Sequence, residues 1–140
     1  MTAKEENLQK LYLEFQMLDQ SIKQLEKQNT ALNNQLMDLM ATNQSLEDMK
    51  KINNGTEILM PLSGGIYAKA ELKDSKNLIV NVGSNITVTK DVDSTKKLIE
   101  TQIDEIQKLQ KNLVIQLQEE TTKGALLEQE INQIASEIQK

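Results

Sequence analysis

The sequence predicts an α+β protein: a long antiparallel two-helix coiled coil with two β-hairpins inserted between the helices. Three observations carry this. Apolar residues recur at alternating steps of three and four from Leu8 through Leu11, Phe15, Leu18, Ile22 and Leu25 to Leu32, Leu36, Leu39 and Leu46. The same rhythm returns at Ile99, Ile103, Ile106, Leu113, Leu117, Leu127, Ile131, Ile134 and Ile138. Between these segments, Thr56 to Lys90 alternates apolar and polar residues with period two. A stripe repeating every 3.5 residues is the seam of a coiled coil, and period two is the mark of a strand with one covered face. The 140 residues are read as one domain, with a helix over 1–54, hairpins over 55–91 and a second helix over 92–140.

The first helix is expected from about Lys4 to about Lys51, an arm of about 65–70 Å. Two polar residues, Asn29 and Asn43, fall on its seam. A buried Asn there either fixes the register, because a slipped partner leaves its amide without a hydrogen bond, or softens a long helix locally. Lys50 and Lys51 suit the negative end of the helix dipole, and Asn54-Gly55 supplies a left-handed stop.

Four short strands follow. The first spans Thr56 to Leu62, with Ile58, Met60 and Leu62 on one face, and turns at Ser63-Gly64-Gly65. The second, Ile66 to Leu72, places Ile66, Ala68, Ala70 and Leu72 together. After a turn at Asp74-Ser75-Lys76 come Leu78 to Val82 and Ile86 to Lys90, whose alternating sets are Leu78, Val80, Val82 and Ile86, Val88. Turn residues at each break favour hairpins. Four strands expose two edges and an apolar face that the mutually occupied helices do not cover, so these twelve apolar residues are candidate oligomerisation contacts.

The second helix is expected to begin near Asp93 or Ser94, either of which can cap the free amides of Thr95 to Lys97. The two seams have matching lengths, and the insert cannot both form paired strands and reach along a whole arm, so the helices must be antiparallel. Gln110, Glu120 and Gly124 interrupt the second seam. The stretch Gln118 to Gly124 is expected opposite Gln24 to Asn29, as a flexible polar waist. Beyond it lies an apolar tip built from Leu8, Leu11, Phe15, Leu18, Leu127, Ile131, Ile134 and Ile138, with Tyr12, Leu13 and Met17 off the seam. Ala125, Leu126 and Ala135 also lie off the seam. Single surface apolar residues are ordinary; their concentration at one end points instead to a binding tip.

Composition narrows the function. With 2% aromatic residues and no Trp, the chain suits a narrow seam better than a deep core. It has no His and no Cys, and so lacks the usual general base, a thiolate and the commonest transition-metal ligand. Gly64-Gly65 lacks the Lys-Ser/Thr of a phosphate loop, and Asp74, Asp91 and Asp93 lack calcium-loop spacing. No catalytic, cofactor or metal site is therefore expected, and ATP is not required. A net charge of −5 without a basic patch argues against nucleic acid. No apolar run suits a membrane span, and Met1 to Leu11 lacks a signal-peptide core, so a cytoplasmic location is expected.

Over Glu57 to Leu72 and Ile79 to Ile86, the insert resembles the α class of prefoldin subunits. The resemblance rests on Pro61 after the first strand, Gly65 before the second, Lys69-Ala70 within it and Val82-Gly83 after the third. The helix, two-hairpin, helix plan extends it to the whole chain, and the lack of terminal extensions looks archaeal. Ser63 departs slightly from the small-residue pattern.

The resemblance implies hairpins joined into an oligomeric β-barrel platform of two α and four β-class subunits. It also implies arms that hold unfolded client proteins at their tips without nucleotide, and delivery to a group II chaperonin. Two other readings fit the residues alone: a structural scaffold whose arms are spacers, and a client-specific adaptor. A scaffold is expected to keep a continuous seam and polar tips.

Overall fold

The computed structural model describes residues 2–139. Helix α1 is Ala3–Met49, followed by β1 Glu57–Ser63, β2 Ile66–Glu71, β3 Asn77–Gly83 and β4 Ile86–Asp91, then helix α2 Val92–Gln139. The expected order and type of every element hold, with boundaries shifted by one to two residues at most ends. The chain forms two compact units. One contains α1 up to Gln35 and α2 from Ile106; the other is Leu36–Glu105.

In the first unit the helices are antiparallel. Lys4 pairs with Glu137 at 3.3 Å, and the Ser21 hydroxyl donates to the Glu120 carboxylate at 2.9 Å. Leu11, Leu127 and Ile131 form the buried core, with Leu8, Phe15, Leu18 and Ile134 packed against it. The three-four spacing is preserved through the polar positions: Asn29, Gln110 and Glu120 are half-buried and Gly124 is buried.

The expected waist is therefore corrected. Helix α2 runs unbroken through Gln118–Gly124. Glu120 faces Ser21, and Gly124 faces Leu18 and Ile22, rather than the stretch Gln24 to Asn29. Glu120 satisfies its carboxylate across the seam, and Leu18 and Ile22 flank Gly124 with room left for a methyl group.

In the second unit, α1 ends earlier than expected. The amides of Lys50, Lys51 and Ile52 bond to carbonyls three residues back, a tightened final turn. Gly55, at φ 88°, is not the helix stop; its N–H bonds to the Leu72 carbonyl and opens the first hairpin. Helix α2 begins one residue before Asp93, and its cap is Asp91, whose carboxylate accepts the Ser94 N–H at 2.7 Å. Asp91 ends β4, so its extended backbone is already in the conformation a cap requires.

The strands form two separate two-stranded sheets, β1 with β2 and β3 with β4. Pairing is antiparallel, running from Glu57↔Glu71 to Ser63↔Ile66 and from Asn77↔Asp91 to Gly83↔Ile86. Each second pairing equals the first with 20 added to both numbers, down to a bulge that leaves one extra residue, Leu62 or Val82, before the turn. The turns need positive φ at both central positions. Gly64 and Gly65 supply it without strain, while Ser84 and Asn85 adopt φ 50° and 61°.

Candidate functional site

The hairpins place their apolar residues on faces that the chain leaves open. Ile58 lies across from Ala70 and Met60 across from Ala68; Val80 lies across from Val88 and Leu78 across from Lys90. Ala68, Ala70, Leu72, Leu78, Val80 and Val88 are half-buried. Ile58, Met60, Leu62, Ile66, Val82 and Ile86 are exposed. The alternating sets expected from the sequence thus share faces, apart from Leu62 and Val82, which sit in the bulges. The reverse faces carry further apolar groups the alternation did not select: Leu59, Tyr67 and Ile79, the last 80% exposed.

Polar contacts rigidify the base of the hairpins. The Asp74 carboxylate accepts the backbone N–H of Lys76 at 2.9 Å and of Asn77 at 3.1 Å, and the Asn77 side-chain amide at 3.0 Å. These bonds, the Lys76 amide first, hold its pKa below the ordinary aspartate value. Ser75, buried, donates its N–H to the Asn54 side-chain oxygen at 2.7 Å. Lys96 bonds to Glu47, and Lys50 bridges Glu47 and Asp93, the latter at 2.7 Å. The Lys96 hydrogen bond lowers the pKa of Glu47, and the Asp93 hydrogen bond raises that of Lys50. The Ser94 amide likewise lowers that of Asp91.

At the end of the helix pair that carries the chain termini, the residues expected to form a tip divide in two. Leu8, Leu11, Phe15, Leu18, Leu127, Ile131 and Ile134 are committed to the seam. Tyr12, Leu13 and Met17 are 48%, 59% and 64% exposed, joined by Leu126, and Ile138 is exposed rather than sealed. Beside Gly124 lies a shallow groove lined by Phe15, Leu18, Ile22 and Ala125 and rimmed by Asp19, Glu26, Thr121 and Glu128. Exposed apolar residues are not confined to this end, contrary to expectation: Met37, Met40, Leu109 and Ile115 are also exposed. Three-four spacing finds seam residues and is blind to apolar residues at the other heptad positions, which is how these were missed.

Among the described residues, no helix is long and apolar enough to cross a membrane. The model of the family described as "Prefoldin subunit" matches residues 18–137. The chain belongs to the prefoldin family. Its prefoldin relatives include the subunit alpha of Methanococcus vannielii, 24% identical over 96% of this chain and 90% of the relative. The subunit alpha of Pyrococcus horikoshii is 29% identical over all of this chain and 90% of its own. A chain in the cryo-EM structure of filamentous PFD from Methanocaldococcus jannaschii shares the fold at TM-score 0.71, with 19% identity, 87% of this chain and 98% of that one covered. The resemblance to archaeal α-class prefoldin subunits seen in the insert therefore extends over the chain.

Proposed function

We propose that this chain is the α-class subunit of a cytoplasmic, ATP-independent chaperone complex that holds unfolded proteins and passes them to a group II chaperonin. In this reading two such subunits join four β-class subunits through their hairpins, which close into a β-barrel platform. The observation that carries the client-holding role is the exposed group Tyr12, Leu13, Met17 and Leu126 beside a sealed seam. Each such side chain contributes about 1–2 kcal/mol when an apolar client segment covers it. A few contacts on one helix pair bind weakly and release readily; several subunits engaging one client bind well through avidity.

The test is suppression of client aggregation by the reconstituted complex, with Tyr12, Leu13 and Met17 all changed to Ser. These residues do not form the seam core, so assembly persists while protection falls severalfold, with matching changes made in the β-class partners. Undiminished protection by the assembled variant moves the client surface elsewhere. An assembled wild-type complex that protects no client favours the scaffold.

A further inference from the structure

The two hairpins repeat each other, and one position breaks the repeat in a way that bears on partner choice. Ile58 corresponds to Leu78, Met60 to Val80 and Ala68 to Val88, all apolar. The next position on the same face is Ala70 in the first hairpin and Lys90 in the second. Lys90 is directly across from Leu78 and is half-buried before any partner arrives. Among the described residues it makes no ion pair. The adjacent carboxylate, Asp91, at the next strand position, feels the Lys90 charge but forms no ion pair with it and is engaged chiefly with the Ser94 amide.

We propose that the Leu78–Val80–Val88–Lys90 face docks a hairpin of a different chain that presents a carboxylate at the level of Lys90. The proposal rests on the platform reading above. Covering this face removes water from the Lys90 ammonium, and a desolvated charge without a partner is strongly unfavourable. A second copy of this chain brings no remedy. Its corresponding faces offer Ile58, Met60, Ala68 and Ala70 or Leu78, Val80, Val88 and another Lys90, with no carboxylate. Glu57, Glu71 and Asp91 occupy the alternate parity. Lys90 thus penalises self-docking of the second hairpin and favours an acidic partner, so one side chain works both for the right complex and against the wrong one. The first hairpin, with Ala70, carries no such restriction.

The experiment compares assembly of the full chain with its β-class partner for wild type, Lys90→Met, Lys90→Glu and Val80→Lys. Lys90→Met strands the partner's carboxylate and weakens the complex at least tenfold; Lys90→Glu weakens it further. Lys90→Met alone also raises self-association of the chain. A zero-length carbodiimide, which joins a lysine amine to a carboxylate with loss of water, links Lys90 to an Asp or Glu of the partner in the wild-type complex. If Lys90→Met leaves binding unchanged or tighter and no Lys90 cross-link forms while Val80→Lys still abolishes assembly, the carboxylate partner is refuted and the platform survives. If Val80→Lys assembles normally, the platform reading itself fails.

Discussion

Leu127 and Ile131 retain 7% and 5% of their surface exposed, while Ile66 and Ile79 retain 64% and 80%. All four are aliphatic, and all lie in well-formed secondary structure. The difference is whether the chain supplies the opposing surface. Along the helix pair, α1 and α2 bring matching stripes, so each seam residue finds its partner within the same molecule. In the hairpins each strand has one neighbour, and apolar faces are left without a second layer. Two-stranded sheets of this kind are marginal in water by themselves. The helix pair records how the chain folds, and the hairpins record what it still needs.

That contrast is broken most severely by exchanging the two kinds of position. Ile131→Ala removes a buried seam side chain and should cost about 2–4 kcal/mol in denaturant unfolding followed by helix content. Ile79→Ala, in the same measurement on the isolated chain, should stay within about 0.5 kcal/mol. The order should reverse for assembly only where a hairpin face is covered, so Ile79→Ala also reports whether the reverse face meets a partner. Equal unfolding costs for the two substitutions would mean that the hairpins contribute to the chain's own core.

A smaller effect sharpens the account of the helix pair. Gly124 is a helix-interior glycine, and a Cβ built there meets Leu18 at 3.6 Å and Ile22 at 3.9 Å, ordinary packing distances. Gly124→Ala should stabilise the chain against unfolding by about 0.5–1 kcal/mol, because helix propensity improves and nothing has to move. It also narrows the groove beside Phe15. A stabilised variant with reduced client protection would assign that groove to client contact; loss of stability would show tighter packing at this level than the distances indicate.

The sequence made the seam legible because heptad spacing is a property of one helix alone, and it survived even at Asn29, Asn43, Gln110 and Glu120. What it concealed depended on pairing. The register opposite Glu120 is not legible in sequence because several polar residues of α1 offer similar partners; the Ser21 hydroxyl bond and the Leu18 and Ile22 contacts at Gly124 decide it. The start of α1 carries a sequence signal that apolar spacing does not detect: Thr2 and Glu5 exchange hydrogen bonds of 3.1 and 3.2 Å, a capping box spelled Thr-Ala-Lys-Glu. The 20-residue hairpin repeat was also present in the sequence, hidden because its turns differ, Gly64-Gly65 against Ser84-Asn85. Among the tip candidates, spacing alone could not separate residues that seal the seam from residues that remain accessible. Asn43 stays ambiguous in sequence and informative in structure, its side-chain oxygen enclosed without a hydrogen-bond partner among the described residues. Such a group already costs stability in the native register, so it favours the local-softening reading over a register device.

The smallest expected effect separates the two regions by pH. Seam contacts such as Leu11 with Leu127 and Ile131 involve no titrating group, whereas the base of the hairpins relies on Asp91, Asp74 and Glu47, all held below their ordinary pKa values. A depressed carboxylate contributes stability that is present above its unfolded pKa and is lost as pH falls through its folded pKa. The loss therefore belongs below about pH 4. Lys50, raised by Asp93, acts at the opposite limit: its contribution is present below the ordinary lysine pKa and is lost as pH rises through the higher folded value. Asp91→Asn keeps an effective helix cap, since Asn ranks with Asp at that position, but no longer titrates. It should therefore remain close to wild type at neutral pH and show a shallower fall in unfolding midpoint from about pH 4 down to about pH 2, the window that opens at the ordinary carboxylate pKa and runs below it. Asp91→Ala should be weaker at every pH, because the Ser94 amide then loses its side-chain acceptor. Hydrogen exchange read at Ser94 and at Ile131 locates the change: acid should release the first amide before the second. Simultaneous release would show that the junction and the seam open as one cooperative unit.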